Sequence, residues 1–428
     1  MTGRRRLTSR PLLATALAAV SALATGAALL TGCDGFPGAR GDSRAPITVM
    51  TWAPDGTQAT NMAGMPAMAT AYARWVNANG GIHGRELNVL TCNEHNDTVA
   101  AAGCAQRAVE EGAVAVVGSY SQHGRSMMSP LEASGTPFIG GYGIAHEEFT
   151  SPLSYPVNGG QATLLAGNGR QLASVCRRVA LVRPDTIAGD QLPALLDAGL
   201  TAGGRPHAAD IRAPEDASDY TRHSSAALDS AGKDDGACVT AALGKRTNTF
   251  FDSFRRLRET AAGTGVRIAA VLGSVQQSLV DSTGGASSPL EGTYVTGWYP
   301  PADDARWEPM RKVIKDHAFG DNRVDPADPG VQTTWLAYTA LRSVLLSLDA
   351  GDISAASVRH ALDGGHQVDT GGLTSPLKWQ HQNLLAVRDY PRIINTNVTY
   401  QVVRDGRLVA VRDGFVDVGR TLEEQSRG

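Results

Sequence analysis

From Ile47 onward the sequence alternates short apolar runs with longer amphipathic stretches, and this alternation restricts the chain to parallel sheets covered by helices. The first series predicts a strand over 47–52, a helix over 62–79, a strand over 87–91 and a helix over 99–111, followed by strands over 113–117 and 136–139. Met65, Met68, Ala69, Tyr72, Trp75 and Val76 recur at helical spacing, and Gly80-Gly81 ends that helix. A second series follows Tyr155: helix over 161–172, strand over 179–182, helix over 192–202, strand over 239–242, helix over 250–262 and strand over 268–272. Single cores stop growing near about 250 to 300 residues. The expected fold is therefore α/β, with two similar doubly wound parallel-sheet lobes joined by a multi-strand hinge. The tail breaks the rhythm with helices over 332–348 and 355–362 and a hairpin, 399–404 with 408–412, turning on Asp405-Gly406. Passages between lobes are expected near Tyr155, near 294–298 and near 373–379. They give one lobe from 46–155 plus 298–375 and the other from 156–297 plus 376–428.

The first residues set the expected compartment. Arg4, Arg5 and Arg6 precede a small-residue apolar run over 11–30 that ends in Leu30-Thr31-Gly32-Cys33. A charged segment, an apolar segment and small residues at a cutting site form an export signal, here 1–32. The ending resembles the lipobox of bacterial lipoproteins, which implies a lipid on the Cys33 sulfur and a membrane-anchored protein on the extracytoplasmic face. An uncleaved membrane anchor is the alternative that the length of the run allows. Residues 33–45 are rich in Gly, Pro, Asp and Arg and read as a flexible tether. With Cys33 lipidated, four cysteines remain, and export permits disulfides. Cys92 ends one strand and Cys104 lies on the next helix; Cys176 and Cys238 each precede an apolar run. The expected pairs are Cys92–Cys104 and Cys176–Cys238, out of three possible pairings.

The stretch 71–84, AYARWVNANGGIHG, followed by Arg85-Glu86-Leu87, resembles the helix, turn and strand of type I periplasmic binding proteins, the solute receptors of branched-chain amino acid uptake. Ala105-Gln106-Arg107-Ala108-Val109, Val114-Ala115-Val116-Val117-Gly118, Gly135-Thr136-Pro137-Phe138-Ile139 and Gly371-Gly372-Leu373-Thr374 continue the likeness over nearly the whole chain. The resemblance implies a receptor, an ABC-type permease as partner, a small polar ligand such as an amino acid or a related compound, and a monomer. A sensing lipoprotein of the same fold, reporting to a membrane partner without transport, needs only the same hinge.

Ligands of open α/β sheets bind beyond the carboxyl ends of the strands. Trp52 and Asp55 follow the first strand, Ser119, Tyr120 and Ser121 the third, and Tyr142 and Gly143 the fourth. In the family these loops present hydroxyls and backbone N–H groups to a carboxylate, so Ser119, Ser121 and the amides around Gly143 are the expected anion contacts. Loss of both serine hydroxyls is then expected to weaken binding with little effect on folding. From the second lobe come Asp190, Lys245, Thr247, Ser274 and Gln276. The family's aromatic residue and acid are missing there: Thr186-Ile187-Ala188-Gly189-Asp190 and Gly273-Ser274-Val275-Gln276-Gln277 stand in their places. That absence argues against a branched-chain amino acid, whose buried ammonium needs a counter-charge.

Catalysis has little support. There is no Gly-x-Ser-x-Gly elbow, no phosphate-cradling Gly-x-x-x-x-Gly-Lys loop and no His-Glu-x-x-His spacing among His83, His95, His123 and His146. Neither a cofactor nor a metal is expected. The formal net charge of −3 offers no basic face for nucleic acid.

Overall fold

A computed structural model describes residues 45–57, 60–186, 189–214, 216–260 and 265–427; the side chains of Lys245 and of 258–260 are outside the description. The export signal, Cys33, most of the tether, Ile187 and Ala188 lie outside the described residues. Among the described residues no helix is long and apolar enough to cross a membrane.

The first sheet runs β2-β1-β3-β4-β5, all parallel, from β1 (Ile47–Ala53), β2 (Leu87–Asn93), β3 (Val116–Val117), β4 (Phe138–Ile139) and β5 (Ser154–Tyr155). Its intervening helices are α1 (Gly64–Ala78), α2 (Thr98–Glu110) and α3 (Gly124–Ser134). Strand alternation sorts the side chains. Val49, Val117 and Ile139 face a core built with α1, whereas Met50, Trp52, Val116 and Phe138 face one built with α2 and α3.

Beyond β5 the chain enters α4 (Gly160–Ala173) and a second sheet. In chain order that sheet comprises β6 (Arg178–Pro184), α5 (Leu192–Ala202), β7 (Ala209–Ala213), α6 (Thr221–Ala231), β8 (Ala237–Ala241), α7 (Thr247–Thr260), β9 (Arg267–Val271), α8 (Gln277–Ser282) and β10 (Tyr294–Gly297). The chain then returns to the first sheet with α9 (Glu308–His317), α10 (Pro329–Ser347) and α11 (Ala355–Asp363). It finally re-enters the second as β11 (Asn397–Arg404), β12 (Arg407–Ala410), β13 (Val416–Asp417) and α12 (Gly419–Gln425).

The second sheet, ordered β12-β11-β10-β9-β8-β6-β7 with β13 on β11, is parallel as far as β10 and antiparallel from β11. The change of direction follows from the path. The chain leaves β10 at its carboxyl end to visit the first sheet and comes back through the same end, so the returning strand must run the other way. The antiparallel β11–β12 pair is the hairpin expected around Asp405-Gly406.

Two glycines fix how closely α10 approaches the first sheet. A Cβ on Gly118 (φ +58°) would lie 2.9 Å from the Thr334 methyl, and Gly140 (φ +62°) is pressed onto Ala337 in the same way. Their positive φ and missing side chains end β3 and β4 after two residues each and let the helix sit against the strand ends.

Three passages connect the sheets. Two run through 156–160 and 298–304. Trp379 still belongs to the first sheet's core while Val387 and Ile393 belong to the second's, so the third passage lies at 380–396, later than expected.

The expected disulfides are present: Cys92–Cys104 ties β2 to α2, and Cys176–Cys238 ties the end of α4 to β8. Separations of 12 and 62 residues set different losses of unfolded-chain entropy, about 3 and about 4 kcal/mol respectively. Replacing Cys176 and Cys238 by Ala is expected to cost more stability than replacing Cys92 and Cys104, measured as denaturant midpoints.

Candidate functional site

The carboxyl ends of both sheets meet, and the meeting point is aromatic. Tyr120 follows β3, Tyr142 follows β4, and Trp298 and Tyr299 begin the second passage. Successive ring centroids lie 5.3, 5.4 and 6.0 Å apart. All four side chains are buried, and at the loop after β9 Val271 and Leu272 pack on the first sheet's core. The Tyr142 hydroxyl lies over Gly273, where a Cβ would stand 2.6 Å from it. Gly273 has φ +91°, so neither the backbone conformation nor the space admits a side chain.

The phenols differ in their partners. Tyr120 Oη accepts from Gln122 Nε2 at 3.1 Å, and Tyr299 Oη pairs with Thr333 Oγ1 at 2.9 Å and accepts from Asn158 Nδ2 at 3.1 Å. Tyr142 Oη has no hydrogen-bond partner among the described residues. Burial pushes Tyr120 and Tyr299 up to about 12 and Tyr142 well above the usual phenol range, so all three stay neutral at physiological pH.

The expected anion contacts are engaged within the chain. Ser119 is fully buried; its Oγ accepts from the Trp52 amide at 3.1 Å and donates to the Val117 carbonyl at 3.4 Å. Ser121 Oγ donates to Glu94 Oε2 at 2.8 Å and accepts from the His123 amide at 3.0 Å. The amides of Gly143, Ile144 and Ala145 all donate to the Glu148 carboxyl oxygens at 2.9 Å, so an internal carboxyl group occupies the nest proposed for the ligand. Trp52 also departs from expectation. β1 continues to Ala53, which turns the Trp52 ring into the α2–α3 core against Phe138, with its Nε1 unpartnered.

The residues expected from the second sheet are dispersed. Ser274 and Gln276 lie in the Gly273 loop, half-buried, with Gln276 Nε2 donating to Ser278 Oγ at 3.1 Å. Thr247 is buried and caps a turn, its Oγ1 accepting from the Leu243 amide at 3.0 Å. Asp190 is bound to Arg183 at 2.6 Å, and Arg183 also makes two 2.8 Å bonds to Asp210. These groups line a groove of about 810 Å³ along α5, β7 and α12 whose walls include no residue of the first sheet. Asp55 is exposed beside β2, its amide donating to Asn93 Oδ1 at 3.0 Å.

Sequence reasoning passed over Glu94, Glu148, Gly273, Trp298 and Tyr299. Glu94 directly follows β2 and meets the same strand-end criterion as the residues chosen after β1, β3 and β4. It is fully buried, and Oε1 has no partner of good hydrogen-bond geometry. Burial raises its carboxyl above the usual range, opposed by Ser121, the His123 imidazole and the Asn96 amide.

Glu148 carries a pH dependence. Burial pushes its carboxyl up to about 7 against the lowering effect of three amide bonds. The folded state thus keeps a proton that the unfolded chain releases near the ordinary carboxyl value of 4.5. Its contribution to stability is complete below that pH and is lost as pH rises through about 7, on the order of 3 kcal/mol in all. Glu148→Gln is expected to lower stability and to flatten that part of the profile, read by thermal unfolding between pH 4 and 8. Ser119→Ala with Ser121→Ala is expected to destabilise the fold by about 1 to 3 kcal/mol, the reverse of the ranking that the sequence suggested.

No curated protein matches the chain. Among solved structures, the extracellular ligand-binding receptor of Verminephrobacter eiseniae is similar with a TM-score of 0.69 and 16% identity, over 85% of this chain and 99% of that one. A branched-chain amino acid ABC transporter protein from Thermus thermophilus, with bound valine, has a TM-score of 0.69 and 13% identity over 90% and 100%. A solute-binding protein from Rhodopseudomonas palustris, in complex with 3,4-dihydroxybenzoic acid, gives 0.65 and 15% over 87% and 97%. The model of the periplasmic binding protein family matches residues 49–391. By that match, and by two α/β sheets meeting at their carboxyl ends, the chain belongs to the periplasmic binding protein family.

Proposed function

We propose that this protein is an extracytoplasmic solute receptor, tethered to the membrane through lipidated Cys33, that closes two lobes on a small molecule and delivers it to an ABC-type permease. The lobes would be 46–155 with the return segment from 298, and 156–297 with the tail, exchanging at 380–396. The observation that carries the reading is the contact of Tyr142, from one strand-end loop, with Gly273, from the other sheet's loop. Contact across a junction crossed by three narrow passages is what a hinge-closing receptor requires. The relatives with valine and with a hydroxylated benzoic acid bound support a small organic ligand.

A double substitution tests closure. Gly273→Val places a branched side chain where the Tyr142 hydroxyl sits, and is expected to enlarge the radius of gyration measured by small-angle scattering. Tyr142→Ala in that background removes the obstruction and is expected to restore compaction. An unchanged radius in Gly273→Val would remove the closing cleft from the account. The anchor has its own test: Cys33→Ala is expected to move the protein from the membrane fraction to the soluble one.

A further inference from the structure

The two halves of the molecule meet a second time. The β11–β12 hairpin turns toward the amino end of β10, away from the aromatic junction, and there it faces the segment that returns to the first sheet. A pocket of about 380 Å³ lies between them. Asp303, Arg311 and Pro326 of the returning segment line one side, and Gln277, Arg407 and Leu408 line the other. Small-molecule pockets span about 300 to 1,000 Å³, so the space suits a short organic molecule. Among the described residues the walls carry two guanidinium groups, one from each side, against the one carboxylate of Asp303.

Both arginines start from fixed backbone. Gln277 Nε2 donates to the Gly406 carbonyl and its Oε1 accepts from the Leu408 amide, each at 2.9 Å, while the Glu291 carboxylate accepts from the Asp405 and Gly406 amides at 2.8 and 3.1 Å. Arg407 leaves this braced turn exposed, with no hydrogen-bond or ion-pair partner among the described residues. Arg404, also exposed, stands directly across the hairpin from it, and like charges so placed repel. On the other wall Arg311 Nη1 donates to the carbonyls of Ala302 and Asp304 at 2.8 and 3.1 Å. Its acidic partner, Glu308, is 71% exposed, where solvent screening weakens the pair.

Resting on the two-lobe reading, we infer that this pocket binds a small organic dicarboxylate, one carboxylate on Arg311 and the other on Arg407, and that the bound molecule ties the two lobes together at a place separate from the aromatic junction. A guanidinium presents paired N–H donors that match a carboxylate, and two of them on opposite walls match two carboxylates on one short chain.

Calorimetry on the purified protein with succinate, its uncharged diamide succinamide, and sulfate tests the site. Succinate is expected to bind about tenfold or more tightly than either, and to weaken as sodium chloride is raised. Arg407→Gln breaks no bond within the chain and is expected to lose about tenfold or more in affinity with unchanged thermal unfolding. Arg407→Lys is expected to lose less, and Arg412→Gln, which changes an exposed arginine outside the pocket, to bind as the native protein does. No binding of succinate, equal binding of succinamide or sulfate, or full affinity in Arg407→Gln would each overturn the assignment. If valine or p-hydroxybenzoate binds and compacts the protein in scattering while succinate does not bind, the receptor reading survives and the dicarboxylate site falls. If succinate binds through Arg407 and Gly273→Val leaves the dimensions unchanged, the site stands and lobe closure falls.

Discussion

Everything between the two sheets depends on one short segment whose carbonyls are held by the other two passages. Trp379 Nε1 donates to Pro156 O at 2.9 Å, Asn395 Nδ2 to Val157 O at 3.0 Å, and Trp298 Nε1 to Gly160 O at 3.0 Å. Each bond is buried, and an indole N–H or a carbonyl left unmatched in such a place costs more than the bond contributes. The first passage is therefore fixed against the third through Trp379 and Asn395, and against the second through Trp298. A junction so fastened cannot shear one passage past another without breaking several bonds at once.

The same residues connect the pivot to the aromatic junction. Trp298 donates to the first passage while its ring meets Tyr142 edge-on, at 85° between planes. Asn158, inside that passage, donates to both the Tyr299 hydroxyl and the Tyr142 carbonyl. Tyr142 is consequently positioned from this side on two counts, and its hydroxyl lies over Gly273 of the loop after β9. Pivot and contact surface share atoms, so rigidity in the first sets the aim of the second.

Much of the layering was readable because burial imposes a period. The strands that carry Val49, Leu181 and Val239 and the helices that carry Met68 and Leu196 have apolar positions at the spacing their cores require. Elements that went unread lack that signal: β7 is the half-exposed sequence ADIRA at a sheet edge, α6 is largely polar, and α3 contains Pro130. The site was less legible for a different reason. Composition marks Ser119 and Ser121 as polar groups at strand ends, yet does not say whether the chain or a ligand uses them. Only the fold brings Glu94 to Ser121 and Glu148 to the amides of Gly143–Ala145. Trp52 was read as a loop residue beyond the strand, whereas β1 runs on to Ala53 and alternation puts Trp52 on the same buried face as Met50.

The antiparallel return of β11 has a mechanical consequence of its own. Gln401, on that strand, donates to the Tyr299 carbonyl at 3.0 Å and to Thr399 Oγ1 at 2.9 Å, while its own carbonyl accepts from Gln171 of α4 at 3.1 Å. Gln171 in turn accepts from Thr296 at 2.7 Å, next to the second passage. The strand re-entering the second sheet is thereby bonded to the strand leaving it and to the helix that follows the first passage. All three lines of chain are gathered at one end of one sheet before they separate. These buried amides and hydroxyls couple α4, β10 and β11, and their mutual satisfaction leaves little slack between them.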